Sequence, residues 1–198
     1  MGIFGEWTSS SRNGATVAQT NTVTVIMAKD DPAWYESSVT MGKLLKQATG
    51  ASSVLLLKVN KANFPAAWKQ ISSKYVIIHT HGGPTGLYSS TDAYMTVKDA
   101  GSMVRNCNIE LVVCTACQTA AVITGSQNMA AAISTKIAPK GMVIANQHVV
   151  RGADRDFEGV INDCPVKGWR AYRDGACLSV DFPASLNMEL AAQTHRLY

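Results

Sequence analysis

The chain has 198 residues, 46% hydrophobic and 16% charged, a balance that suits one globular domain with a substantial core and excludes intrinsic disorder. Its 18 basic and 14 acidic residues leave a formal net charge of +4 with no Lys/Arg run, so there is no electrostatic footprint for nucleic acid. No apolar stretch approaches the ~20 residues of a membrane span, so no membrane partner is expected.

Residues 1–20 are rich in Ser, Thr, Asn and Gly and are expected to form a flexible arm ahead of a single domain over residues 21–198. Residues 22–27 read as a first strand. Residues 35–47 follow as a helix, with Met41, Leu44, Leu45 and Ala48 at helical spacing. Residues 53–59 form a second strand, and Pro65 suits the first turn of a short helix carrying Trp68 and Ile71. Residues 75–78 form a third strand that ends at two histidines. Asp92 is placed to cap a helix whose apolar positions include Val97, Ala100 and Val104. Residues 110–114 form the fourth strand, residues 126–137 a helix with Met129, Ile133 and Ile137 on one face, and residues 141–145 the fifth strand. Residues 166–172 and 176–180 flank Asp174-Gly175, a hairpin signal, and are expected to add a sixth, antiparallel edge strand. The alternation of strand and helix argues for an α/β fold, a mostly parallel six-stranded sheet with helices on both faces.

The chemistry-bearing residues stand where two of these apolar runs end. The third strand runs into His79, Thr80 and His81, then Gly82 and Gly83; the fourth runs into Cys114, Thr115, Ala116 and Cys117. Neighbouring parallel strands would bring both carboxyl ends to one crevice, where open α/β sheets place their sites. A thiol with a free pKa of ~8.5 is only slightly ionised at neutral pH, and an imidazole can take its proton or steady the thiolate. The glycines after His81 permit a sharp turn and leave a Gly82 or Gly83 N–H to face an oxyanion, with the Cys117 N–H as a second donor. The N-terminus of the helix that follows would favour negative charge there.

Thr80-His81-Gly82 and the run 111–119 around Ala116-Cys117 resemble the two motifs of the caspase-like (clan CD) cysteine peptidases, most closely in the form found in the bacterial CHAT proteases. The resemblance covers roughly residues 22–150 in architecture and is specific in the two motifs. It implies a three-layer caspase-like sandwich and a cysteine endopeptidase working through a thioester acyl-enzyme. His81 would be the general acid/base and Cys117 the nucleophile, with Gly82 and Cys117 at the oxyanion hole and no cofactor. Thr115 stands where some members have an Asp or Gln that sets substrate preference, so neither preference carries over. The loop after the first strand is the family's other source of specificity, which makes Asp30 and Asp31 candidate substrate contacts; Asp31-Pro32 also reads as a plain turn. Trp169 and its neighbours either wall the substrate groove, as late loops do in this family, or pack on the core. The expected partners are a protein or peptide substrate and a regulatory protein.

A rival reading uses the same residues. His79 and His81 with Cys114 and Cys117 are zinc ligand types, and strand residues two apart share a face. Cys114 is equally a buried core thiol, and a degenerate caspase-like domain would serve only to bind partners. Residues 154–165 imitate an EF-hand loop but end in Pro165, and read better as a solvated acidic loop. Gly2 invites myristoylation, but Glu6 occupies the position where Ser or Thr is wanted. Residues 1–6 also lack the order of a secretory signal. The five cysteines are an odd number at irregular spacing, which fits reduced thiols in the cytoplasm; export without a visible signal stays open. His148, His195, Cys107, Cys164 and Cys177 read as surface or packing residues.

Overall fold

The computed structural model describes residues 20–28, 34–90, 92–150, 157 and 168–179. The apolar runs become strands whose side chains alternate between two faces, and both faces are covered. The chain order is β1 (Thr20–Ala28), α1 (Tyr35–Thr49), β2 (Ser53–Val59), α2 (Phe64–Gln70), β3 (Ser73–His79), β4 (His81–Gly83), β5 (Gly86–Tyr88), β6 (Ala93–Thr96) and α3 (Val97–Ser102). It continues through β7 (Leu111–Cys114), α4 (Met129–Ser134), β8 (Met142–Asn146), β9 (Trp169–Arg173) and β10 (Ala176–Ser179). Seven strands form one sheet in the order β2-β1-β3-β7-β8-β9-β10. The first five of these pair in parallel, while β9 and β10 are antiparallel to their neighbours.

Val23, Val25, Leu56, Ile77, Val113 and Ile144 point to the face covered by Met41 and Leu45 of α1. Ile26, Leu57, Ile78, Val112 and Val143 point to the other face, against Phe64 and Trp68 of α2, Ala100 of α3 and Ile133 of α4. Helix α1 lies so close to the sheet that a Cβ on Gly42 would stand 2.6 Å from Val54 Cγ1, so only glycine fits there.

Three expectations need correction. The hairpin contributes both of its strands, making the sheet seven-stranded; Asp174 and Gly175 adopt φ of 45° and 84°, as a tight two-residue turn between twisted strands demands. The segment from His81 to Thr96 is a three-stranded antiparallel sheet ordered β4-β5-β6. Asp92 therefore caps no helix: its carbonyl accepts the Ser89 N–H over 2.7 Å in the turn before β6. Helix α3 is instead capped by Thr96, whose hydroxyl accepts the Asp99 N–H while the Asp99 carboxylate accepts the Thr96 N–H, and Val104 lies beyond it, exposed. Helix α4 is shorter than expected, starting at Met129 behind an Asn128 cap, although Met129, Ile133 and Ile137 are all buried.

The Asp99 carboxyl is held below its ordinary range, first by the Thr96 N–H and then by the Thr96 hydroxyl. A depressed folded-state pKa contributes stability above the unfolded value near 3.8 and loses it as pH falls through the folded value. Thr96→Ala should cost about 1 kcal/mol at neutral pH. In thermal melts, the difference between wild type and Asp99→Asn should narrow as the solution is acidified through that range.

Candidate active site

The parallel pairing of β1 with β3, β3 with β7 and β7 with β8 brings four carboxyl ends to one edge of the large sheet. Ile78 is in register with Cys114, so the residues that follow each strand leave the sheet side by side. The Thr115 N–H continues the pairing to the Ile78 carbonyl over 3.0 Å. Beyond His79 the chain bends at Thr80, whose buried hydroxyl donates to the His81 carbonyl over 2.9 Å, and His81 opens β4.

The two motifs touch at Gly82. A Cβ there would stand 2.6 Å from Ala116 Cβ and 2.9 Å from the Cys117 carbonyl oxygen. Gly83 and Gly86 flank the two-residue turn Pro84-Thr85 and so close the hairpin as a hydrogen-bonded pair. The next pair, Gly82 with Leu87, is then of the other kind, which sends the Gly82 N–H away from β5 to the open edge of the small sheet. Among the described residues no carbonyl accepts the Cys117 N–H, although the next amide, Gln118, donates to the His148 carbonyl over 2.9 Å.

Cys117 is partly exposed, and the Val150 N–H donates to its sulfur over 3.3 Å. The chain after the nucleophile does not run into the helix that follows: Gln118 takes φ 57°, and the amides of Gln118 and Ala120 are spent on the His148 and Asn146 carbonyls at and just beyond the end of β8. Helix α4 begins only at Met129, so its positive end does not serve Cys117.

His81 is exposed, and among the described residues its imidazole makes no hydrogen bond; its ring lies 4.3 Å from that of Trp34 in an edge-on contact at 61°. Trp34 also lies 4.6 Å from the ring of His79. His79 is buried with both ring nitrogens engaged, Nδ1 2.8 Å from Thr115 Oγ1 and Nε2 2.9 Å from Ser37 Oγ. Trp34 and Ser37 escaped the sequence reading. The signal was an aromatic residue two positions after Pro32, in the stretch that follows the first strand in sequence.

The remaining candidates are distributed differently. Thr115 is 3% exposed with its hydroxyl turned to His79, so it presents no surface to a substrate. Trp169 is fully buried on the α1 face of the sheet, and the core-packing alternative holds for it. Asp30, Asp31, the acidic loop at 154–165, Cys164 and His195 lie outside the described residues. His148 is exposed, and its main chain anchors the Cys117 loop.

The four proposed zinc ligands do not converge. Cys114 points to the face shared with α2 and α4, whereas His79 bonds to Ser37 of α1 on the opposite face. Among the described residues no three His, Cys, Asp or Glu side chains are grouped as metal ligands. Burial pushes the Cys114 thiol up to about 11, against smaller lowering effects from Thr119 and the Ala116 backbone. It is therefore a core thiol.

Iodoacetamide at pH 8 should alkylate Cys117 and leave Cys114 unmodified in the folded protein, as peptide mass mapping would read. Gly82→Ala should cost about 1–3 kcal/mol, because its methyl meets Ala116 and the Cys117 carbonyl, and should separate the two motifs. A lowered melting temperature together with a changed alkylation rate at Cys117 is the expected result.

The chain matches no protein-family model, and no curated protein matches it.

Proposed function

We propose that this chain is a cysteine endopeptidase of the caspase-like type, with Cys117 as nucleophile and His81 as general acid/base. The observation that carries the reading is the close approach of Gly82, next to His81, to Ala116 and the Cys117 carbonyl at the ends of adjacent parallel strands. Nucleophilic catalysis by a thiol asks for a partly exposed sulfur, an imidazole nearby and unspent N–H donors. Cys117 supplies the first, His81 is the candidate for the second at the same sheet edge, and the Gly82 and Cys117 amides are the candidate donors. The strand order, with five parallel strands followed by an antiparallel pair, is compatible with the caspase-like sandwich.

In the proposed reaction His81 takes the Cys117 thiol proton, the sulfur attacks the peptide carbonyl, and the C=O electron pair moves to oxygen, where the two amides hold it. Collapse breaks the C–N bond, and His81 gives a proton to the departing amine. Water, deprotonated by His81, then attacks the thioester and releases Cys117 with the acid product. This chemistry calls for no cofactor.

The substrate is a protein or peptide held across the crevice, with the loop bearing Asp30 and Asp31 as the candidate contact for the residue before the scissile bond. A regulatory protein partner and a cytoplasmic setting belong to the same reading. Among the described residues no helix is long and apolar enough to cross a membrane.

A peptide-library cleavage profile of wild type beside Cys117→Ala and His81→Ala tests the proposal. Wild type should cleave a defined set of bonds, an electrophilic peptide probe should attach to Cys117, and either substitution should lower kcat by about a thousandfold or more. A wild type that neither cleaves nor takes the probe would sink the peptidase reading in favour of a binding domain.

A further inference from the structure

We infer that His79 and Trp34 are positioning residues for His81, held as one unit by Ser37 and Thr115; this rests on reading His81 and Cys117 as the catalytic pair.

His79 is 4% exposed, and a buried imidazole is costly unless its nitrogens are paired. Both are, to hydroxyls from two different elements. Ser37 belongs to α1 and Thr115 follows β7. A hydroxyl has one proton to give. Ser37 Oγ lies 3.1 Å from the Trp34 carbonyl oxygen and donates there, so it accepts from His79 Nε2–H. His79 Nδ1 lies 2.8 Å from Thr115 Oγ1, which also reaches the Ile78 carbonyl oxygen at 3.3 Å. The two hydroxyls thus tie the ring to α1 on one side and to the end of β7 on the other, with both ring nitrogens in hydrogen-bond contact.

An aliphatic residue would fill the same space without needing two hydrogen bonds. What the imidazole adds is a fixed ring plane. That plane supports the Trp34 indole, with ring centroids 4.6 Å apart, and Trp34 in turn meets His81 at 4.3 Å. The His81 imidazole is exposed and makes no hydrogen bond among the described residues, so the edge-on indole is the ring contact that restrains its rotation. At the other end, Thr115 stands two residues before Cys117. One buried ring thus references both halves of the dyad, and a misplacement of about 1 Å in such a pair costs on the order of 100-fold in rate.

The test uses the full chain with Trp34→Ala, Trp34→Phe, His79→Leu and His79→Gln. Three quantities are measured: kcat and KM on a peptide from the cleavage profile, the alkylation rate of Cys117, and the NMR shifts of the His81 ring protons. The neighbouring indole should displace those His81 signals by its ring current, and Trp34→Ala should abolish the displacement. Trp34→Ala and His79→Leu should lower kcat by about 10- to 100-fold with KM within about threefold, and Phe and Gln should restore most of the loss. Should His79→Leu fail to fold, His79→Gln and the two Trp34 variants decide the matter.

An unchanged kcat in Trp34→Ala overturns the inference. So does a rise in KM alone, which would make Trp34 a substrate contact, or Phe and Gln variants no better than Ala and Leu. If wild type cleaves no peptide, the peptidase reading falls separately. The His81 shifts and Cys117 alkylation still judge the positioning role, which fails if neither responds to Trp34→Ala.

Discussion

The site depends on one pairing, that of β3 with β7. Their residues from Tyr75 to Ile78 and from Leu111 to Cys114 are buried, so desolvation favours putting both strands inside the sheet. Parallel hydrogen bonding then allows few registers, and the one adopted sets Ile78 beside Cys114. Everything downstream inherits that register. Thr115 meets His79, Gly82 meets Ala116, and a thiol and an imidazole leave the sheet at the same edge.

The polar groups at this edge are specified by a different balance. Apolar side chains in the strands need only volume and a face, whereas His79 and Thr115 need partners before burial is tolerable. Thr115 and His79 pair with each other, and the second His79 partner comes from α1, which covers the same face of the sheet through Met41 and Leu45. Close contact at Gly42 seats that helix, and its first turn delivers Ser37 and Trp34 to the strand ends. Core packing and the arrangement of the candidate dyad are in this way one problem solved by one helix.

Legibility followed periodicity. Strand β2 has the bounds its composition predicts, and β1, β3, β7 and β8 lie within two residues of theirs, because long apolar runs have few alternatives. The small sheet was illegible: its strands have three or four residues, two of them contain glycine, and all are defined by partners rather than by pattern. Helix α4 stops early because the Ser134 and Thr135 hydroxyls turn back to carbonyls three residues before, a local competition that hydrophobic spacing does not report. Trp169 illustrates the opposite case, an aromatic whose two readings could be separated only by seeing which face of β9 it occupies.

By itself the sequence determined which segments form the parallel strands of the large sheet, and that a histidine before glycines and a cysteine stand at two strand ends. Those are properties of short windows, where β-branching, turn residues and burial preference act locally. Only the tertiary structure decided that Cys114 faces away from the histidines, that Thr115 is buried, and that Trp34 joins His79 to His81. Each of those facts depends on residues more than thirty positions apart meeting across a sheet edge, and no local preference encodes the partner.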